Sequence, residues 1–137
     1  MPMPCAMDIE VARQVVETIQ REASLAYPHE ACGMLLGEGS RIAMALPTVN
    51  LHPNPEAHFE IDPQALIDAH RAARQGGPQV VGYYHSHPVG TAEPSQTDQA
   101  MASGDGRVWA ILADGEIRFW QDNPTGFEAL SHELVGD

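Results

Sequence analysis

The residues best suited to chemistry in this chain are His85-Ser86-His87-Pro88, followed after six residues by Ser95-Gln96-Thr97-Asp98. Immediately upstream, Gln79-Val80-Val81-Gly82-Tyr83-Tyr84 is apolar and rich in β-branched and aromatic side chains, the composition of a buried strand. Residues i and i+2 of a strand share a face, so His85 and His87 would present two imidazoles side by side while Ser86 turns away. Pro88 has no N–H for a sheet ladder and should end the strand. Gly90, Thr91 and Pro94 then predict a loop, and Ser95 is placed to cap a helix beginning Gln96-Thr97-Asp98-Gln99-Ala100-Met101. Asp98 would fall in the first turn of that helix, facing back toward the strand end. Two neutral imidazoles and one carboxylate are a three-ligand set suited to catalytic zinc, with the fourth position left to water, as in a hydrolase.

Each part has a plainer reading. A single histidine is usually just a partly buried polar residue, and Ser-x-x-Asp is usually only a helix cap. His-x-His at a strand end with an acid on the next helix start is the more specific signal. Two other zinc layouts are absent. His29-Glu30 is followed by Ala31-Cys32-Gly33 rather than completing His-Glu-x-x-His, and the Pro-Cys-x-x-Cys of nucleobase deaminases does not occur.

His85-x-His87-Pro88-x6-Ser95-x2-Asp98 resembles, position for position, the signature of the JAMM (MPN+) metalloproteases. Those enzymes need a glutamate well upstream, and Pro28-His29-Glu30-Ala31-Cys32-Gly33-Met34-Leu35-Leu36-Gly37 resembles the strand that bears it. Asn50 through Phe59-Glu60-Ile61-Asp62-Pro63 is similar to the small bacterial and archaeal members, and the likeness runs over roughly residues 8 to 123. The resemblance implies Zn2+ held by His85, His87 and Asp98. It implies Glu30 as a general acid/base that is not a ligand, and Ser95 as a hydrogen-bond donor to the tetrahedral oxyanion. Taken alone, Glu30 is an ordinary exposed acid before a strand, and Ser95 a pure cap. The implied reaction is hydrolysis of the amide bond after the C-terminal Gly-Gly of a ubiquitin-like protein. For small bacterial members the partner is a ubiquitin-like sulfur-carrier protein bearing a C-terminal extension or adduct. Two alternatives stay open: a non-catalytic MPN-type protein-binding module with the site unused, and a small-amide zinc hydrolase.

Those residues need a frame. A first helix is predicted from Asp8, as cap, to Ala26, with Ile9, Val11, Val15, Ile19 and Ala23 as its apolar stripe, ended by Tyr27-Pro28. Glu30 to Gly37 and Arg41 to Val49 read as strands joined by a hairpin at Glu38-Gly39-Ser40. A proline-rich loop, Leu51 to Glu56, precedes a short strand at His58 to Ile61. Asp62 caps and Pro63 opens a second helix that extends to Gln75 and is stopped by Gly76-Gly77-Pro78. After the motif come strands at Val108 to Ala113 and Glu116 to Gln121 around the Asp114-Gly115 turn, then a last strand from Phe127 to Leu134. The sum is an α/β fold over 1–137 as a single domain. It is a sandwich with a curved, mixed, mainly antiparallel central sheet flanked by helices, and the JAMM resemblance implies the same MPN architecture, which is similar to cytidine deaminase.

Bulk properties narrow the partners. Seven basic against nineteen acidic residues give a net charge of −12 over 137 residues, and every basic residue is arginine. Such a surface repels phosphate backbones and anionic lipid, so neither nucleic acid nor membrane is expected as a partner. No apolar run approaches the ~20 residues of a membrane helix. Met1 to Asp8 lacks the basic flank and apolar core of a signal peptide. Cys5 and Cys32 make a poor disulfide framework, which points to a reducing, cytoplasmic setting. His29, His52, His58, His70 and His132 are read as outside the metal set, and Cys32 as a buried structural thiol. Tyr83, Tyr84, Trp109 and Trp120 read as core and sheet residues, and Glu56, Glu60, Asp62 and Glu93 as solvated acids.

Overall fold

A computed structural model describes residues 7–136, so Cys5 and the residues before Met7 lie outside it. The elements are β1 (Ile9–Ala12), α1 (Arg13–Ala26), β2 (Cys32–Glu38), β3 (Arg41–Thr48), α2 (Pro63–Arg74), β4 (Gln79–Ser86), α3 (Gln96–Met101), β5 (Val108–Ala113), β6 (Glu116–Asn123), β7 (Gly126–Leu130) and β8 (His132–Val135). The strands form one eight-stranded sheet in the order β7-β6-β5-β4-β2-β3-β1-β8. Pairs β2–β3, β2–β4, β5–β6 and β6–β7 are antiparallel, while β1–β3, β1–β8 and β4–β5 are parallel. The sheet is therefore mixed and mainly antiparallel, as expected.

Alternation along the strands makes two cores. Val15 and Ile19 of α1 pack with Leu35, Tyr84, Ala110 and Leu112 on one face. Cys32, Met34, Leu36, Val80 and Trp109 point the other way, under Phe59 and the apolar side of α2. Tyr84 belongs to the α1 face, so its neighbour His85 emerges on the α2 face. Gly33 is needed opposite Tyr84, because a Cβ there would collide with the tyrosine ring and with the Leu46 carbonyl.

Most local punctuation is obeyed. The Asp62 carboxylate accepts the Gln64 N–H at 2.9 Å with Pro63 at the helix start. Gly39 takes φ +56° in the β2–β3 turn, where only glycine is unstrained. Three expectations need correction. The first helix does not begin at Asp8: Ile9 and Val11 are 5% and 0% exposed with Glu10 outward between them, a period of two, and this segment is β1. Asp8 caps nothing; its carboxylate accepts the Ser131 N–H at 2.9 Å and the Ser131 hydroxyl at 3.1 Å. His58 to Ile61 forms no strand, only a bridge between Asn50 and Ile61, because the Asn50 side chain takes over the bonds a ladder would make. The last strand is broken at Ser131 into β7 and β8, which lie on opposite margins of the sheet.

Candidate active site

Strand β4 ends at Ser86, and the His87 N–H makes one more bond, to the Leu112 carbonyl at 2.7 Å, before Pro88 stops the ladder. His85 and His87 thus share a face, and Ser86 turns away to accept the Ala31 N–H at 2.8 Å. Ser95 caps α3 in a reciprocal box: its hydroxyl accepts the Asp98 N–H at 3.0 Å, and its N–H donates to Asp98 Oδ2 at 3.0 Å. The box turns the Asp98 carboxylate back onto the histidines. His85 Nε2 and His87 Nε2 lie 3.0 Å apart, and each is 3.0–3.1 Å from the Asp98 carboxylate. Among the described residues this is the one cluster of three side chains able to hold a metal.

The donor set fits an ion. Regular tetrahedral coordination at ~2.0–2.1 Å separates the donors by about 3.3 Å, close to what is seen here. His87 Nδ1 donates to the Thr91 carbonyl at 2.7 Å, which leaves the Nε2 lone pair of the neutral ring facing the carboxylate. Acceptors that converge need positive charge between them, and in the metal-free protein protons supply it. For His87, burial opposes charging but the bonds to Asp98 and Thr91 outweigh it, so its pKa is raised. For Asp98, burial pushes the carboxyl up, yet the bonds from both imidazoles and from the Ser95 N–H hold it well below the usual range. His85 is fully buried, and burial lowers its pKa despite Asp98. Its ring stacks on Phe59 at 4.4 Å and meets the edge of Trp109 at 5.7 Å, and its Nδ1 has no hydrogen-bond partner among the described residues. Only Nε2 is left to bind anything.

Glu30 arrives from across the sheet. Cys32 pairs with His85, and Ala31 with Ser86 through the Ser86 N–H at 3.0 Å, so the same register sets Glu30 opposite His87. The residue is 6% exposed, not the exposed acid of the plainer reading. Burial raises its pKa from 4.5 to about 7, with the His87 charge lowering it and Asp98 raising it further. Ser95 is exposed beside its cap, and its hydroxyl hydrogen is not needed by Asp98. The five predicted residues therefore gather at the ends of β2 and β4 and the start of α3. The last turn of α1 divides two openings here: a cavity of about 720 Å³ lined by Tyr27, His87, Pro88 and Asp114, and a groove of about 290 Å³ lined by Leu25, Glu30 and Val49.

Other predicted residues fall elsewhere. His52 and His58 stack on each other at 4.6 Å, and His132 packs on Phe119 at 4.7 Å. His29 and His70 lie outside the cluster. Cys32 is buried with Sγ 3.6 Å from Thr48 Oγ1, and burial raises its pKa. Several residues support the site in roles that the sequence did not assign to them. Phe59 and Trp109 clamp His85, the Trp120 indole N–H holds the Ala92 carbonyl at 3.0 Å, and Asn50 ties the loop before α2. An asparagine at a strand end before a proline-rich loop was the available signal for the last. The Thr91 carbonyl had none, being main chain.

The family described as prokaryotic homologs of the JAB domain matches residues 12–123. A desampylase of Haloferax volcanii is 34% identical over 113 residues, covering 80% of this chain and 73% of that protein. A probable TtuB-protein conjugate cleaving protease of Thermus thermophilus is 33% identical over 64% of this chain and 59% of its own length. A CysO-cysteine peptidase of Mycobacterium tuberculosis is 32% identical over 68% of this chain and 64% of its own. The latter two matches thus span less than two thirds of those relatives. Protein DSY2949 of Desulfitobacterium hafniense, a solved structure, superposes with a TM-score of 0.81 at 27% identity over 94% of each chain.

Proposed function

The chain belongs to the prokaryotic JAB-domain family, the JAMM/MPN group that its motif resembles, and from that premise we propose a zinc metallopeptidase. Its substrate is the amide bond after the C-terminal Gly-Gly of a ubiquitin-like sulfur-carrier protein. One observation carries the reading: two imidazole nitrogens and a carboxylate converge within 3.0–3.1 Å, with the buried Glu30 just ahead of the neighbouring strand β2.

His85, His87 and Asp98 are the residues that would hold zinc, which supplies a Lewis acid for the scissile carbonyl and acidifies water to a pKa of about 7. Glu30 moves the proton. Its carboxylate takes one from the attacking water and returns it to the leaving nitrogen, and burial raises its affinity for that proton. Ser95 keeps its hydroxyl hydrogen free while Oγ serves the Asp98 N–H, so it can donate to the carbonyl oxygen as charge develops. Thr91 and Phe59 fix the imidazole orientations, which limits reorganisation during the step.

The substrate class is supported by the relatives, a desampylase, a probable protease that cleaves TtuB-protein conjugates and a CysO-cysteine peptidase. A Gly-rich tail offers few side-chain contacts and loses much backbone freedom on binding, so docking of the folded carrier has to position it. With a net charge of −12, the enzyme gains by meeting basic residues on the carrier, and kcat/KM should fall as salt rises. A reducing, cytoplasmic setting suits the free Cys32 thiol. The test is cleavage of a ubiquitin-like carrier extended beyond Gly-Gly, compared with its free tail peptide. Equal efficiency on the two would refute the carrier reading and favour a general small-amide hydrolase. No turnover of either by zinc-loaded protein would favour the binding module.

A further inference from the structure

Glu30 lies just before β2, beyond the reach of the sheet ladder. Both of its main-chain groups are held by the loop between β3 and α2. Its N–H donates to the Pro55 carbonyl at 2.7 Å, and its carbonyl accepts from Asn50 Nδ2 at 3.0 Å. Asn50 does more than that one bond. Nδ2 also donates to the His58 carbonyl at 3.0 Å, while Oδ1 accepts the N–H groups of His52 and Glu60, each at 3.0 Å. Two donors and two lone pairs are filled, all by main chain, and only one amide orientation allows it. The loop so fastened also carries Phe59, whose ring stacks on His85 at 4.4 Å. One half-buried side chain therefore ties the main chain of the proposed base to the segment that packs against a proposed ligand.

We infer that Asn50 is the positioning residue for Glu30: it touches no substrate, but it sets where the Glu30 carboxylate stands relative to the His85/His87/Asp98 cluster. This rests on the reading of Glu30 given above. The physical reason is that Glu30 lies just outside the β2–β4 ladder: without Asn50 its carbonyl loses the bond to the loop, and the Glu30–Ala31 peptide keeps only its β4 edge, where the Ala31 N–H meets Ser86 Oγ at 2.8 Å. A misplacement of about 1 Å at a reacting group can cost on the order of 10²-fold. Binding of the carrier body, in contrast, does not depend on that bond.

The experiment uses full-length zinc-loaded protein and a ubiquitin-like carrier whose Gly-Gly terminus is joined in amide linkage to aminomethylcoumarin. Asn50→Ala and Asn50→Asp are compared with Glu30→Gln and with each combination. Asn50→Asp keeps the size and the acceptor oxygen but removes both donors, so it serves if Asn50→Ala does not fold. The expected result is a kcat at least about tenfold lower with KM within about threefold and zinc still bound. The residual rate of Glu30→Gln should not fall further when the Asn50 change is added, because a residue that acts through Glu30 has nothing left to position. Wild-type kcat in a folded, zinc-loaded Asn50 variant overturns the inference. So does a multiplicative loss in the double variant, which marks a general structural role. If Glu30→Gln itself turns over at the wild-type rate, the assignment of the base has failed instead, and the two failures are told apart.

Discussion

The two banks of the site are built by opposite means. On one bank, β4, the loop and α3 deliver His85, His87, Ser95 and Asp98 from one continuous stretch, locked by a capping box and a main-chain bond to Thr91. On the other, Glu30 is brought in by its neighbour Ala31, which bonds Ser86 of β4 across 55 positions of sequence, and is held by a loop from a third region. Short-range bonds set the metal cluster, and long-range register sets the proposed base. The banks should accordingly fail separately: damage to the first removes the metal, and damage to the second removes turnover while the metal stays.

The largest effect breaks the first bank. Purified protein is expected to carry one zinc per chain, and His85→Ala combined with His87→Ala should abolish both zinc and activity, since three ligands leave no redundancy. Elemental analysis that finds full zinc in the double variant would sink the assignment. The second bank gives the next largest loss. Glu30→Gln should retain zinc and fold while kcat drops on the order of 10²–10⁴-fold, because an amide nitrogen cannot accept the proton. Should zinc leave with the activity, Glu30 is a ligand and the two banks are one. Smaller again is Ser95→Ala, with a loss of about 10²-fold in kcat if the hydroxyl serves the oxyanion. A drop of about 1 kcal/mol in stability with kcat intact would reduce Ser95 to its cap.

The smallest effect is one of pH, measured without metal. Glu30 has a folded pKa of about 7 against 4.5 when unfolded, so folding favours its protonated form. Its contribution to stability is complete below pH 4.5 and is lost as pH rises through 7. In chelator, the melting temperature of wild-type minus that of Glu30→Gln should fall across that window. A flat difference would mean that the Glu30 carboxyl is solvated after all.

The contrast also explains what could be read in advance. The convergence of His85, His87 and Asp98 was legible because its signals are local: i, i+2 on a strand, a proline stop, Ser-x-x-Asp at a helix start. The α2 boundaries were legible for the same reason, from Asp62 and Pro63. Glu30 could be placed only by resemblance, since nothing near it announces that Ser86 and Asn50 will bind its neighbourhood from far away. The error at β1 has the same origin. Ile9, Val11, Val15 and Ile19 fit one helical stripe, and only the parallel neighbours β3 and β8 make the first two a strand. Likewise no turn residue marks Ser131, where partners at opposite margins, not local chemistry, divide β7 from β8.

That division reaches beyond bookkeeping of strands. The two outermost strands of the sheet follow one another with Ser131 alone between them, and Ser131 is tied to Asp8 through both its N–H and its hydroxyl. The chain itself thus joins the two margins of the sheet, and the Asp8–Ser131 bonds fasten that joint to the start of β1. A margin that frays at β7 therefore pulls on the residue that anchors the other margin, so loosening the Asp8–Ser131 bonds should lower amide protection in both β7 and β8.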